Sequence, residues 1–165
     1  MEIMKKLIIL LMIPIMSYSQ ISYKDIMSID SEKMFKKVMI ENGYEFDSKE
    51  DSGILYGYNI KRDSIEGNKS SKWSFYRLND EFMLSFSRNS LLESFFGVDD
   101  EEGKKVSEYD MIVEEIKKNC KYYDILTDGN EDDYVCYSCS ESKYKGKIGF
   151  MVKEGSGYIR HFIEE

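Results

Sequence analysis

The feature that most constrains the fold of this chain is a pattern that occurs twice. The stretch MFKKVMIENGYEF at 34–46 aligns with MIVEEIKKNCKYY at 111–123, and both are typical of an amphipathic helix that runs into a strand. Three strand-like stretches then recur in the same order: GILYGYNI (53–60) with DDYVCYSC (132–139), KWSFYRL (72–78) with GKIGFMV (146–152), and EFMLSFSR (81–88) with GYIRHFIE (157–164). Five elements in one order predict two similar units in tandem.

The signals for the two helices are local. Asp30 or Ser31 can cap the first helix, and Ser107 with Asp110 three residues later forms a shortened capping box for the second. Apolar residues at helical spacing follow each cap and predict the faces that enter the core: Phe35, Val38 and Met39 in the first helix, and Ile112, Val113 and Ile116 in the second.

These elements predict an α+β fold of two tandem units, each a helix packed on an antiparallel meander of about four strands. The first unit is expected at 20–96 and ends in a short helix, because apolar residues cluster there: Leu91, Leu92, Phe95 and Phe96. An acidic connector at 97–106 follows, with the run Asp99-Asp100-Glu101-Glu102 near its centre. The second unit is expected at 107–165.

Element order and unit length resemble the tandem fold of the secreted β-lactamase-inhibitor-protein group, in which two helix-plus-four-strand units join their sheets. The resemblance covers most of the chain after residue 19 and implies one continuous, concave sheet. It includes no sequence motif, so it assigns no site residue. A duplicated helix-grip arrangement predicts the same order of elements.

Residues 1–19 are typical of a secretory leader. Lys5 and Lys6 precede an apolar run at 7–16, and Ser17-Tyr18-Ser19 follows it. The run is shorter than the roughly 20 residues that span a bilayer, so a cleaved signal peptide is favoured over a membrane anchor. We expect cleavage after Ser19 and export to the periplasm or the medium, where disulfide bonds can form.

The net charge of the chain limits the classes of partner that it is expected to bind. The chain holds 23 Lys+Arg and 31 Asp+Glu, a formal net charge of −8, and loss of Glu2, Lys5 and Lys6 with the leader takes it to −9. An acidic protein repels nucleic-acid phosphates and anionic lipids, so we expect no nucleic-acid partner and no membrane anchor after leader removal. One histidine and the lack of a nucleophile elbow, phosphate loop or dinucleotide fingerprint favour a protein without enzymatic activity or cofactor.

The three cysteines stand in the second unit. Cys136 and Cys139 form a C-x-x-C motif, but YVCYSCS is a strand pattern rather than the helix N-terminus that a redox-active cysteine needs. On a strand these two side chains point to opposite faces, which disfavours a bond between them. Cys120, at the end of the second helix, is the predicted partner of one of them in a structural bridge, with free buried thiols as the alternative.

Two other polar features carry weak chemical signals. His161 lies in the last predicted strand without a serine motif to serve, so a surface or hydrogen-bonded role is expected rather than catalysis. Oxygen ligands alternate around one predicted hairpin turn and indicate a weak calcium candidate: Asp128, Asn130, Asp132 and Asp133. The glycine of a calcium loop is misplaced and its closing Glu is missing, so no metal is expected and solvated hairpin acids are the simpler interpretation.

One predicted sheet face has the composition of a binding surface. If Trp73 and Phe75 pack beneath the helices, the opposite face is free to carry other side chains. The residues expected on that opposite face are Tyr76, Leu78, Met83 and Met151. Aromatic and Met side chains rimmed by charge are typical of surfaces that bind a partner. The alternative is that a connector or a second copy covers this face.

The sequence therefore predicts an exported, non-enzymatic protein that presents a sheet face to a protein or other macromolecule, as a monomer or with weak self-association. One alternative is a small secreted hydrolase that uses paired carboxylates, whose separation a sequence does not encode. Another is a calcium-dependent carbohydrate binder that uses the acidic hairpin at 128–133.

Overall fold

The computed structural model of this chain describes residues 20–65, 67–70, 72–77, 81–87, 98–99 and 105–163. The predicted leader at 1–19 lies outside the described residues, as does the short helix predicted near 91–96. Of the acidic connector predicted at 97–106, the described residues are 98–99 and 105–106. Leu78 of the predicted binding surface also lies outside them.

The described residues form three helices, and a serine caps each one. The helices are α1 (Tyr23–Ser28), α2 (Glu32–Glu41) and α3 (Glu108–Asn119). Ser22 caps α1 in a reciprocal box with Asp25, Ser31 caps α2, and Ser107 caps α3 by accepting the Asp110 N–H. The caps predicted at Ser31 and Ser107 are confirmed, whereas α1 is too short to show the helical repeat that would predict it.

The same residues form ten strands. They are β1 (Tyr44–Glu50), β2 (Gly53–Tyr58), β3 (Lys72–Arg77), β4 (Phe82–Ser87), β5 (Val98–Asp99), β6 (Lys105–Val106), β7 (Lys121–Thr127), β8 (Asp133–Ser138), β9 (Gly146–Lys153) and β10 (Ser156–Ile163). Eight of them make one antiparallel sheet in the order β1-β2-β3-β4-β10-β9-β8-β7, and β5 pairs with β6 separately. The meanders β1–β4 and β7–β10 therefore meet where β4 pairs with β10.

The helices pack on one face of this sheet. Phe35 of α2 lies with its ring centroid 5.2 Å from Tyr76 and 6.0 Å from Tyr56. Tyr109 of α3 packs on Gly157 of β10 so closely that a Cβ added at Gly157 would lie 2.4 Å from the Tyr109 ring. The register of β3, β4 and β10 places these contacts on the same side of the sheet. The fold is therefore mixed α+β, as predicted, with the sheet as its dominant layer.

A buried ion pair connects strand β3 to the start of helix α3. The Lys72 ammonium on β3 binds the Glu108 carboxylate at the start of α3, and both side chains are almost fully buried. The other oxygen of Glu108 accepts the Ile21 N–H at 2.5 Å. Burial raises the pKa of the Glu108 carboxyl, and the Lys72 ammonium acts in the opposite direction. The chain entering α1, strand β3 and helix α3 thus meet at one charged contact.

The predicted structural bridge is present. Cys120 at the end of α3 is bonded to Cys139 just after β8, with a Cα–Cα distance of 4.5 Å. The bond joins two cysteines that are 19 positions apart in sequence, and the loop between them contains β7 and β8. Cys136 is buried as a free thiol on β8, and burial raises its pKa to about 11, which excludes it from thiolate chemistry at neutral pH.

Within the described part of the chain, the helices are short or polar. None has the length and apolar character that crossing a membrane requires. The longest, α3, has 12 residues, and charged side chains cover its outer face.

Candidate functional site

Two cross-strand rows of side chains cover the sheet face that the described helices leave free, called here the open face. The first row follows the register from Trp73 through Ser85 and Tyr158 to Met151. The second row consists of Leu55, Phe75, Met83 and Arg160. Both rows cross the β4–β10 junction, so the open face draws on both meanders.

The apolar members of the open face are half-buried rather than enclosed. Leu55, Trp73, Phe75, Met83, Tyr158 and Met151 all have intermediate exposure. The Ser85 hydroxyl accepts the Trp73 N–H at 3.2 Å and donates to the Trp73 carbonyl at 3.1 Å, which fixes β3 against β4 beneath the tryptophan ring. The surface is therefore supported by a rigid sheet while its side chains keep contact with solvent.

The prediction of which β3 side chains face the helices is wrong. Tyr76 is 1% exposed, packs against Phe35 beneath the helices, and has its hydroxyl 2.7 Å from that of Tyr144. Trp73 and Phe75, expected in the core, lie instead on the open face. Both faces of β3 carry aromatic side chains, so hydrophobicity alone does not determine which face packs against the helices. The orientation of the strand is set by Lys72, because its side chain must reach the buried Glu108 on the helical side.

The two methionines predicted to bind a partner do lie on the open face. Met83 pairs in register with Phe75 and with Arg160, and Met151 pairs with Tyr158. They therefore share a face with each other and with Trp73, but not with Tyr76. Their role in binding stays a prediction.

A partly buried charge cluster stands beside these rows. Arg160 donates from Nη1 to Asp128 at 2.5 Å and from Nη2 to Glu81 at 3.3 Å. The Asp128 side chain is 2% exposed and that of Glu81 is 16% exposed. The β7–β8 turn thus folds back over the sheet to reach β10. Burial raises the pKa of the adjacent Tyr134 hydroxyl to about 12, and the negative charge of Asp128 adds to the shift.

The cleft at this cluster is small. It encloses about 10 Å³ between Phe75, Arg77, Met83 and Arg160, which is room for about one water molecule. Small-molecule sites are usually clefts of several hundred Å³. The open face is therefore suited to contact with a surface rather than to enclosing a small ligand.

The acids of the predicted calcium loop are held by other partners. Asp128 accepts the N–H groups of Asn130 and Asp132 in addition to binding Arg160. Asp132 binds Lys153 at 2.7 Å, and Asp133 accepts the Thr127 hydroxyl at 2.7 Å. Among the described residues, no group of three or more acidic, His or Cys side chains could hold a metal ion. The alternating acids build the hairpin turn and fasten it to the sheet.

His161 lies on the helical side of the sheet, away from the open face. It is 1% exposed, with its ring stacked 5.5 Å from Phe82 and 4.2 Å from Tyr144. The expected surface position is therefore wrong, and neither ring nitrogen has a hydrogen bond of ordinary geometry. Burial lowers its pKa to about 4, with Glu81 and the Lys145 backbone acting in the opposite direction. The ring is neutral at pH 7 and has no access to a substrate.

Sequence reasoning missed the polar centre of the site. Arg160 interrupts an apolar strand, which is a signal that it needs a buried acidic partner. Its partners Asp128 and Glu81 lie 32 and 79 residues away along the chain, so their identity required the sheet order. The same holds for Lys72 and Glu108, which lie 36 residues apart.

Comparison with known proteins finds no match among protein-family models, curated proteins or solved structures. The resemblance to the β-lactamase-inhibitor-protein group therefore stays a prediction from element order. Any functional assignment must come from the geometry of the open face and from the chemistry of its side chains.

Proposed function

We propose that this protein is an exported, non-enzymatic binding module that holds a protein or other macromolecular partner against its open face. The observation that carries the proposal is the pair of cross-strand rows that includes Trp73, Phe75, Met83, Tyr158 and Met151. These rows join into one continuous surface on a sheet whose other side is closed by helices.

The chemistry of the open face supports partner binding. Aromatic, Met and Arg side chains are enriched at the centres of protein interfaces, and Trp, Tyr and Arg are the commonest energetic hot spots. Methionine adapts to partner surfaces because its unbranched thioether can repack. Arg77, which lies on the same face of β3 as Phe75 and has a side chain 46% exposed, adds an accessible positive charge beside the apolar rows that a partner can recognise.

We also propose that the fold consists of two similar tandem units. Each meander follows a helix, and the outer strand of each carries an irregularity in register, between Phe46 and Ser48 in β1 and between Tyr122 and Asp124 in β7. The two irregularities are 76 residues apart, close to the 77-residue offset between the sequence patterns at 34–46 and 111–123. This arrangement places the open face across the junction of the units.

Export is proposed from the leader pattern at 1–19. The Cys120–Cys139 bond supports it, because structural disulfides persist in oxidising compartments. Ile21, two residues after the expected cleavage site, is 2% exposed and its N–H is bound by Glu108, so cleavage at that site would leave this contact intact.

The proposal is tested by placing charge on the open face. The mature protein and its Met83→Glu/Met151→Glu variant are immobilised and exposed to the envelope and culture-medium fractions of the producing cells. Val152→Glu serves as the matched control, since Val152 follows Met151 on β9, lies on the other face and is 48% exposed. We expect a partner that is retained by the wild type and the control and is reduced at least tenfold by the double variant.

Melting temperatures separate loss of binding from loss of fold. All three proteins are expected to melt within a few degrees of one another, because the substituted side chains are partly or largely exposed. Equal retention of every partner by the folded double variant would contradict the open-face proposal. Hydrolysis of a polysaccharide by the wild type, lost in Glu81→Gln, would favour the paired-carboxylate alternative instead.

A further inference from the structure

The strand β7 forms one edge of the sheet and carries exposed apolar side chains. Among the described residues β7 pairs with β8 alone, and Tyr122, Tyr123 and Ile125 on it are 53%, 52% and 55% exposed. Edge strands of this kind are templates for pairing with another strand. The helical side of the sheet continues this apolar surface at Val135, which pairs with Ile125 in register and is 36% exposed.

The opposite edge of the sheet is partly covered by a loop. Arg62 donates to the Phe46 carbonyl of β1 at 3.4 Å, and Asn68 donates to the Asp47 carboxylate at 2.6 Å. The loop after β2 therefore folds against β1 and occupies a main-chain acceptor of that strand. The difference makes β7, rather than β1, the edge at which a further strand can add.

The charges at the two ends of β7 have opposite sign. Lys121 begins the strand, and the exposed Lys143 and Lys145 stand in the loop that follows its neighbour β8; within the described chain none of the three has an ion-pair partner. Glu131 and Asp133 are exposed at the other end, in and just after the β7–β8 turn. A strand with one basic and one acidic end is complementary to an antiparallel copy of itself.

We propose that two copies of this protein pair antiparallel through β7 about a two-fold axis, so that two eight-stranded sheets join into one. This pairing brings Lys121 of each copy to the end of the other copy's β7, where Asp133 accepts the Thr127 hydroxyl. It also covers Tyr122 and Ile125, two of the exposed apolar side chains of the strand. An isologous interface of this type closes on itself and produces dimers rather than fibres.

The local structure of β7 sets the strength of the pairing. The Asp124 carboxylate accepts the Ile125 N–H at 2.9 Å, so one main-chain donor is already occupied in the single chain. The register of β7 also shifts between Tyr122 and Asp124. Bulges and charges of this kind restrain edge-to-edge association. The dimer is therefore reversible and forms with increasing protein concentration.

Sedimentation velocity of the mature protein over a range of concentrations tests the proposal. We expect a monomer–dimer equilibrium in the wild type and at least a tenfold weaker dimer in Ile125→Lys. Phe46→Lys is the matched control, because Phe46 is 50% exposed on the opposite edge strand β1, and it should leave the dimer constant unchanged. Circular dichroism confirms that each variant is folded.

Two further variants make the test specific to β7. Lys121→Glu should weaken the dimer, and Lys121→Glu/Asp133→Lys should restore it, because both charges are exchanged across the two-fold axis. Asp124→Ala frees the Ile125 N–H and should strengthen the dimer. A wild type that stays monomeric at every concentration overturns the proposal, as does a dimer that Ile125→Lys leaves intact or that Phe46→Lys disrupts.

Discussion

The two halves of the sheet follow the same order of elements but are stabilised differently. In the half formed by β1–β4, α2 packs over β1 and β3, and Arg62 of the loop after β2 donates to the Phe46 carbonyl of the outer strand. In the half formed by β7–β10, α3 packs on β9 and β10, with the Tyr109 hydroxyl bound to the Met151 carbonyl at 2.9 Å. The outer hairpin β7–β8 extends beyond this helix and is fastened by a disulfide at one end and by Asp128–Arg160 at the other.

The difference shows how one topology can leave different surfaces available. In the first half, helix α2 packs over the strands and the loop after β2 contacts the outer strand. Where the helix stops short, directed bonds hold the hairpin and apolar side chains stay exposed, as at Tyr122 and Ile125. We therefore expect that removing one directed bond in the second half loosens that half more than it loosens the first.

The largest expected effect falls on the contact that joins the halves. Lys72→Met removes the ammonium from the buried Glu108 carboxylate, and breaking one side of a buried ion pair costs about 3–5 kcal/mol of unfolding free energy. Urea unfolding monitored by the fluorescence of Trp73 measures the loss. The double variant Lys72→Met/Glu108→Gln should recover more than half of it, because the glutamine oxygen still accepts the Ile21 N–H.

A recovery of this kind identifies an uncompensated charge as the cause. If the double variant is no more stable than Lys72→Met, loss of packing by the lysine stem is the larger effect and the ion pair does not join the halves. The reference variant is Lys33→Met, which removes an exposed lysine of α2 and should change the unfolding free energy by less than about 0.5 kcal/mol.

Loss of the disulfide should distinguish the halves most directly. Cys120→Ser/Cys139→Ser removes the bond between positions 19 apart in sequence, and a bridge that closes a loop of this size contributes about 3 kcal/mol. Amide hydrogen exchange should accelerate more in β7 and β8 than in β1 and β2, because the bridge fastens only the second hairpin. Equal acceleration in both hairpins would contradict the difference between the halves.

Acid should destabilise the second half through His161. Burial depresses its folded-state pKa to about 4, against about 6.5 in the unfolded chain. The unfolded chain therefore binds the extra proton between these values, so the stability is complete above about pH 6.5 and falls as the pH drops toward 4, by about 3 kcal/mol.

The same pH series with His161→Leu isolates this contribution. The variant should lose stability less steeply between pH 6.5 and 4 than the wild type, while the carboxylates titrate alike in both proteins. Parallel pH profiles for the two proteins would show that His161 is not held neutral by the rings of Phe82 and Tyr144.

A smaller effect is expected where α3 meets the sheet. Gly157→Ala places a methyl group against the Tyr109 ring, and overpacking of this kind costs about 1–3 kcal/mol. Gly129→Ala is the matched control, because a Cβ at Gly129 meets no atom within 4 Å. Thermal melts compare the two, and a Gly157→Ala protein as stable as the control would mean that α3 packs less closely than described.

Local features of the fold were predictable from the sequence. Ser31 and Ser107 cap helices because their side chains bond within three residues, and the Cys120 bridge follows from the strand geometry around C-x-x-C. The mixed α+β class follows from the alternation of helical and strand periods. These inferences need only neighbours along the chain.

The candidate site was predictable only in part. The sequence correctly predicts that Met83 and Met151 share one face. It predicts the wrong face for the β3 side chains, because Trp73, Phe75 and Tyr76 make both faces of that strand aromatic. The orientation of β3 depends on Lys72, and its partner is remote in sequence. The charge cluster at Arg160 was missed for the same reason.

The most direct test of the central claim, that one sheet face is open and the other is core, is oxidation of the methionines of a protein comprising residues 20–165 by dilute peroxide. Met83 and Met151 lie half-exposed on the open face, whereas Met27 and Met39 are 4% and 0% exposed beneath the helices. Peptide mass spectrometry follows each sulfoxide with time. We predict that Met83 and Met151 oxidise at least tenfold faster than Met27 and Met39. Equal rates at the four sites, or faster oxidation of Met27 and Met39, would contradict the assignment of the open face.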